Sequence, residues 1–339
     1  MKNLVILFAL SLLISLINSE MLFDDTFSGE FDPSDEMSKW VFNGLDETTS
    51  AAIPKGLKFN KCVTGKHNTF GRVIVNPVKR PSDMVPGWGW YSNELCSISP
   101  KFVNSAPLTV KENQVVSISA TMAVQRMITN NHPFGSLITG VFSDPRPGAC
   151  GIVMYSPSTG VSSGIFLTST SIWSYHSRQN YPLRPLSDIK GFFNMKKLGS
   201  RTATNINMLR IEYHRPNNIV KYYVDGTMRR GVRNVGSIDQ EEGVNVAVYN
   251  ASSNAVTSSV TMPDIKPIFT CMTHMDKTDP HDRHGYVGLI NHYTDDELFS
   301  HPTKWFSTNA DSETDRTLHE FGQSLDAQIK RFSVEIKNV

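Results

Sequence analysis

"MLRIEYHRPNNIVKYYVDGT", residues 208–227, reads as two strands folded back on each other. Leu209, Ile211 and Tyr213 alternate with Arg210, Glu212 and His214, the period of two that a strand with one buried face requires. Arg215, Pro216, Asn217 and Asn218 follow as a turn-favouring cluster. Val220, Tyr222 and Val224 then alternate with Lys221, Tyr223 and Asp225, and Asp225-Gly226 closes the second strand. Two alternating runs around a Pro/Asn turn predict an antiparallel hairpin.

The same signal recurs along the chain. "VVSISATMAV" from Val115, "SLITGVFS" from Ser136, "CGIVMY" from Cys150 and "GIFLTSTSIWSYH" from Gly164 each read as strand. So do "VNVAVY" from Val244, "YVGLINHY" from Tyr286 and "QIKRFSVEI" from Gln328. Many strands, Gly/Pro-rich connections and few helical stretches predict an all-β sandwich or jelly roll. Short helices are expected at Asp32–Trp40 and Thr294–Ser300, the second with Thr294 and Glu297 at capping-box spacing. Lys79–Ser92, Arg178–Thr204 and His301–Thr317 read as long loops decorating one domain.

The chain opens with Lys2 and an apolar run from Leu4 to Ile17, broken only by Ser11 and Ser15, before Asn18 and Ser19. This is the pattern of a secretory signal peptide over residues 1–19, too short to span a bilayer comfortably. Residues 20–339 are then expected as one secreted domain without a membrane span. The formal net charge of +1 offers no basic stripe for nucleic acid. Four cysteines in an oxidising compartment suggest two disulfides, and of the three possible pairings Cys62–Cys96 with Cys150–Cys271 is the expected one. Asn250 heads the sequon Asn250-Ala251-Ser252 after a strand-like run, a surface turn suited to a glycan.

Several segments share a pattern with known domains. The hairpin of residues 209–227 resembles an L-x-I-x-Y strand, turn and V-D-G strand of concanavalin A-like lectin and glucanase domains. "LFDDTFSGEFD" from Leu22 and "KWVFNG" from Lys39 resemble the opening strand of such domains, where an Asp-Asp-x-Phe-Ser unit precedes a Trp. "NHPFG" from Asn131 follows a long strand, and "FGQSLDAQIKRFSVEI" from Phe321 resembles the closing strand, which returns beside the first. In this order the segments are most similar to an uncharacterised group of secreted members. The resemblance implies a jelly roll of two antiparallel sheets and a ligand on rim loops and a concave sheet face. It says little about activity, because one fold hosts many functions.

Retaining glucanases of that superfamily carry carboxylates in an E-x-D-x-x-E pattern on one strand, so that nucleophile and acid stand about 5 Å apart. That triplet is missing. Asp239 and Glu241 are spaced i, i+2 but lie in a turn between Gly236 and Gly243, and Glu212 alternates outward without a local partner. No G-x-S-x-G elbow, P-loop or G-x-G-x-x-G occurs. Aromatic residues offer more. Trp88, Trp90 and Tyr91 crowd into a Gly/Pro loop, and Trp173 and Tyr175 share one face of a strand. Both sets can stack on a flat ligand, and both can equally fill core.

"HMDKTDPHDRHGY", residues 274–286, gathers His274, His281 and His284 with three aspartates. Pro280 forbids a regular helix through it, and the alternating carboxylates of a calcium loop are absent. It reads as a solvated loop feeding the strand from Tyr286, with a divalent metal on the three histidines or a pH-sensing role as the alternatives. The expected function is therefore binding of a carbohydrate or other small extracellular molecule. The alternatives are a divergent glycosidase or polysaccharide lyase, a small-molecule oxidoreductase of the cofactor-independent oxidase or luciferase type, and a purely structural protein.

Overall fold

The computed structural model describes residues 19–29, 31–43, 62–67, 70–75, 93–126, 142–145, 148–179, 191–238, 241, 245–249, 258–273, 275–277, 286–290, 299–304 and 325–339. In chain order the strands are β1 (Ser19–Asp25), β2 (Trp40–Phe42), β3 (Cys62–His67), β4 (Phe70–Val75), β5 (Asn93–Pro100) and β6 (Leu108–Thr109). Next come β7 (Gln114–Arg126), β8 (Ala149–Ser156), β9 (Val161–Leu167), β10 (Ser171–Gln179) and β11 (Gly191–Ser200). They are followed by β12 (Asn207–His214), β13 (Ile219–Val224), β14 (Thr227–Arg233), β15 (Asn245–Tyr249) and β16 (Asp264–Thr273). The last are β17 (Met275–Lys277), β18 (Tyr286–Ile290), β19 (Phe299–Lys304) and β20 (Leu325–Asn338).

Two antiparallel sheets form a sandwich of the jelly-roll class. The first runs β14-β13-β12-β7-β20-β4-β3, with β1 also on β20; the second runs β15-β11-β10-β9-β8-β16-β5-β2, with β6 on β16. A small third sheet joins β17, β18 and β19. The closing strand does return beside the opening one: β1 pairs with the second half of β20, from Ser19 opposite Lys337 to Asp25 opposite Phe332. The hairpin of residues 208–227 forms as β12 and β13, with Leu209, Ile211, Tyr213, Val220, Tyr222 and Val224 all buried. Its two turns use positive φ at Asn218 (48°), Asp225 (50°) and Gly226 (78°), which is what those residue types tolerate.

The inner faces of both sheets meet in one apolar core. It includes Val116, Ile118 and Phe332 from the first sheet and Ile98, Ile152, Ile165 and Phe269 from the second. The opening segment plugs one end. Asp25 Oδ2 accepts the Trp40 indole N–H at 2.7 Å and Oδ1 accepts the Phe27 amide at 2.8 Å, while Trp40 packs among Phe23, Phe27, Phe31 and Phe332. Arg201 closes another corner by donating to the carbonyls of Val124, Thr168, Ser169, Ala203 and Asn205. Burial lowers its pKa to about 10. Cys150 and Cys271, opposite each other on β8 and β16, are joined by a disulfide. Cys96 is disulfide-bonded too, and the Cys62 side chain lies outside the described residues.

Some expected elements differ. Residues 32–39 form turns, not a helix, because Asp32 and Asp35 spend their carboxylates on the amides of Ser34 and Met37 two residues on, and Trp40 opens β2. Phe299 and Ser300 belong to a strand instead of a helix end, and the rest of that expected helix lies outside the described residues. "GIFLTSTSIWSYH" is two strands, because Thr168 bonds Ser171 through both backbone and hydroxyl and folds the chain at Thr168–Thr170. The expected loop Arg178–Thr204 contains β11, whose alternation is interrupted by a bulge at Leu198, between Lys197 opposite Trp173 and Gly199 opposite Ile172. In the histidine segment, residues 275–277 are strand β17, not loop. Among the described residues no helix is long and apolar enough to cross a membrane.

Candidate functional site

The second sheet is apolar on both faces. Cys150, Ile152 and Met154 of β8 point into the sandwich, and Ala149, Val153 and the half-buried Tyr155 point away from it. The register turns these alternations into rows across the outer face. One row runs Ser97, Thr270, Gly151, Phe166, Trp173, Lys197 from β5 to β11. The next runs Ile268, Val153, Gly164, Tyr175, Met195, and a third runs Lys266, Tyr155, Ser162, Ser177. Together Ala149, Val153, Phe166, Tyr175, Met195, Ile268 and Met272 form a buried cluster separate from the main core, with Tyr155 and Trp173 half-buried at its margin.

Glycine shapes this floor. A Cβ on Gly164 would collide with the Tyr175 ring and stand 2.9 Å from Phe166 Cε2, so the missing side chain is what lets Tyr175 lie across β9. There it stacks on Phe166, with ring centres 5.1 Å apart and planes inclined by 20°. The Tyr175 hydroxyl bonds the hydroxyl of Ser162, and the Trp173 indole N–H donates to the Ser143 carbonyl at 2.8 Å. Each aromatic is thus held by its polar tip. Along the β2–β5 edge runs a polar strip: Asn43 Nδ2 donates to Ser97 Oγ at 3.0 Å, and Ser99 Oγ donates to Asn43 Oδ1 at 2.9 Å.

The titratable clusters elsewhere are structural. Glu212 sits on the outer face of the first sheet and does have partners, Arg210 and His214, each at 3.1 Å. Glu241 is paired with Lys196, with Arg230 Nε at 3.8 Å, while Asp239 lies outside the described residues. Ser163 and His176 bond at 2.9 Å, but His176 Nε2 accepts the Gly236 amide at 3.1 Å. The ring proton is therefore on Nδ1 and is donated to Ser163, the reverse of a histidine that takes a proton from a nucleophile. Both residues are fully buried between the sheets.

Of the residues singled out in the sequence, Trp173 and Tyr175 lie together on the outer face of the second sheet. Trp88, Trp90, Tyr91, His274, His281, His284 and Asn250 lie outside the described residues. Among the described residues no three His, Cys, Asp or Glu side chains converge as metal ligands. Tyr155, Phe166, Met195, Ile268, Thr270 and Met272 were missed. The period-two signal that would place Tyr155 beside Val153 is present in "CGIVMY", but a run buried on both faces does not say which face is outer.

A family described as one of unknown function, DUF6081, matches residues 88–338. The chain belongs to the DUF6081 family. No curated protein matches it. Among solved structures, this DUF6081 chain is similar to an endo-1,3-β-glucanase from Streptomyces sioyaensis at 10% identity and TM-score 0.45, covering 95% of this chain and 98% of that one. It is also similar to an endo-β-1,3-glucanase from Pyrococcus furiosus at 11% identity and TM-score 0.44, covering 95% of each. At that identity and score the likeness bears no functional argument; the outer face itself has to carry it.

Proposed function

We propose that this protein is an extracellular binding module that holds a carbohydrate chain along the outer face of its second sheet. The observation that supports this reading is the placing of Trp173 and Tyr155, half-buried at opposite corners of a buried apolar floor. They stand two strands and four residues apart in register, on the order of 16 Å from strand spacing and rise. A single compact ring does not reach both, whereas linked rings do. The CH face of a sugar stacks on such rings, and its hydroxyls meet the half-buried Asn43 at the sheet edge and the exposed Lys197. Hydrolysis by two facing carboxylates is not part of the reading: Asp264, which the alternation of β16 places on this face, is engaged by the hydroxyls of Ser156 and Ser158. The leader over residues 1–19 and the disulfide support secretion of residues 20–339 as one unit.

A second reading draws on a different observation. Met195, Met272, Ile268 and Val153 make the floor more apolar than a sugar requires, which favours a small aromatic molecule and, with it, an oxidase-type enzyme. One experiment separates the readings: incubate the secreted protein with a panel of soluble and insoluble polysaccharides, and follow depletion of protein and release of new sugar ends in the same tubes. Depletion without new ends is expected. New ends make the protein an enzyme, and neither effect on any polysaccharide turns the face over to the small aromatic ligand.

A further inference from the structure

Each of the two rings offered for stacking has a lysine as its neighbour in the sheet. Trp173 of β10 is the register partner of Lys197 on β11, and Tyr155 of β8 is the partner of Lys266 on β16. Opposite residues of an antiparallel pair share a face, with Cβ atoms about 5 Å apart. Lys197 is exposed and Lys266 is half-buried. No carboxylate among the described residues forms an ion pair with Lys197. Asp264, the acid that β16 carries on this face, accepts from the Ser156 and Ser158 hydroxyls at 2.6 and 2.7 Å. The charges that the described side chains of this face turn toward a ligand are thus positive, and they stand beside the rings. On the first sheet, by contrast, Arg72, Arg210 and Arg331 each have a carboxylate of their own.

We infer that the carbohydrate chain held on this face is acidic, and that Lys197 and Lys266 pair with its carboxylate or sulfate groups. A sugar ring lying on Trp173 turns its CH face to the indole and its substituents sideways, toward the neighbouring strand. There the Lys197 ammonium, on a flexible four-carbon stem, reaches a charged substituent at the ring edge. The arrangement recurs at Tyr155 and Lys266, diagonally across the floor, so one chain is held at two rings by a stack and an ion pair each. A neutral sugar offers the lysines only hydroxyls, which serve an ammonium no better than the water they displace. Lysine is a compact point charge without the planar fork that arginine fits to a carboxylate, so it accepts either anion. This inference rests on the carbohydrate reading of the same face.

The test pairs polymers that differ in charge and little else: homogalacturonan with its methyl-esterified form, and a sulfated galactan with its desulfated form. Each is titrated by calorimetry into the wild-type protein, Lys197→Gln, Lys266→Gln, Lys197→Arg and Arg233→Gln, at low and at physiological salt. The wild type is expected to prefer the charged member of at least one pair by about tenfold at low salt, less as salt rises. The pair that shows the preference tells carboxylate from sulfate. Lys197→Gln and Lys266→Gln should each lose about threefold for the charged polymer and nothing for the neutral one, while Lys197→Arg matches wild type. Arg233 is exposed on β14 of the other sheet, so Arg233→Gln should match wild type too. Thermal melts accompany every variant, and the exposed Lys197 carries the test if Lys266→Gln proves unstable. Equal affinity for the charged and neutral members of both pairs overturns the inference and leaves the carbohydrate reading standing. An equal loss in Arg233→Gln and Lys197→Gln also overturns it, by showing attraction to the protein's charge at large. Binding of none of the polymers overturns it as well, and the polysaccharide panel then decides whether the wider reading falls with it.

Discussion

A methyl group at Gly164 has nowhere to go. The Tyr175 ring fills the position, Phe166 backs it at 2.9 Å, and Tyr175 turns away only by giving up its bond to Ser162. Gly164→Ala is therefore expected to destabilise the fold by about 1–3 kcal/mol, the usual range for overpacking. The same change tilts Tyr175 off Phe166 and roughens the floor between Tyr155 and Trp173. Denaturant unfolding and near-ultraviolet circular dichroism should both register it, the first as an earlier midpoint and the second as a changed aromatic signal. Gly65, where a Cβ would meet nothing within 4 Å, is the control: alanine there should leave both measurements close to wild type. An unchanged midpoint for Gly164→Ala would mean that Tyr175 has another place to lie.

The hairpin of β12 and β13 was legible because one of its faces is wet. Arg210, Glu212, His214 and Tyr223 lie on that face, and their polarity is what made the alternation visible. Tyr223 is pushed up to about 12, chiefly by burial and then by its hydrogen bond to Glu212 and that carboxylate's charge. The folded protein keeps this phenol proton where the unfolded chain, near 10, has begun to lose it. The contribution is fully present below pH 10 and is lost as pH rises from 10 to about 12. Tyr223→Phe should flatten the fall in stability across that window, and a slope identical to wild type would exclude the pairing with Glu212. The strands of the second sheet were harder to read. Ala149–Ser156 is buried at nearly every position, so a strand signal survives there but the outer face does not announce itself. β11 was lost to its bulge. The Cys150–Cys271 bridge ties opposed residues of β8 and β16 that are 121 apart in sequence. Replacing both by alanine is expected to cost about 2–5 kcal/mol, measured by denaturant unfolding without reductant. Under reductant the difference from wild type should close.

Seen as a whole, the sandwich has two outer faces of opposite chemistry, and that contrast makes the functional reading testable without knowing the ligand. The first sheet turns ion pairs outward, Glu212 with Arg210 and His214, and, more exposed, Arg331 with Asp24. The second turns out Tyr155, Phe166, Trp173 and Tyr175 among methionines. An exposed pair such as Arg331–Asp24 contributes little to stability, and Glu212→Gln keeps the shape of its side chain, so both changes can be made without unfolding the chain. Tyr155→Ala and Trp173→Ala remove the two rings offered for stacking and should each weaken polysaccharide depletion by tenfold or more, taking stacking at about 1–2 kcal/mol per ring. Glu212→Gln and Arg331→Gln should leave depletion at the wild-type level. Trp173 also anchors Ser143, so Trp173→Phe serves beside the alanine variant: it keeps a ring to stack on and should retain most of the depletion even though the indole bond is lost. If Glu212→Gln abolishes depletion while Tyr155→Ala does not, the ligand lies on the first sheet, and the apolar floor of the second is simply additional core.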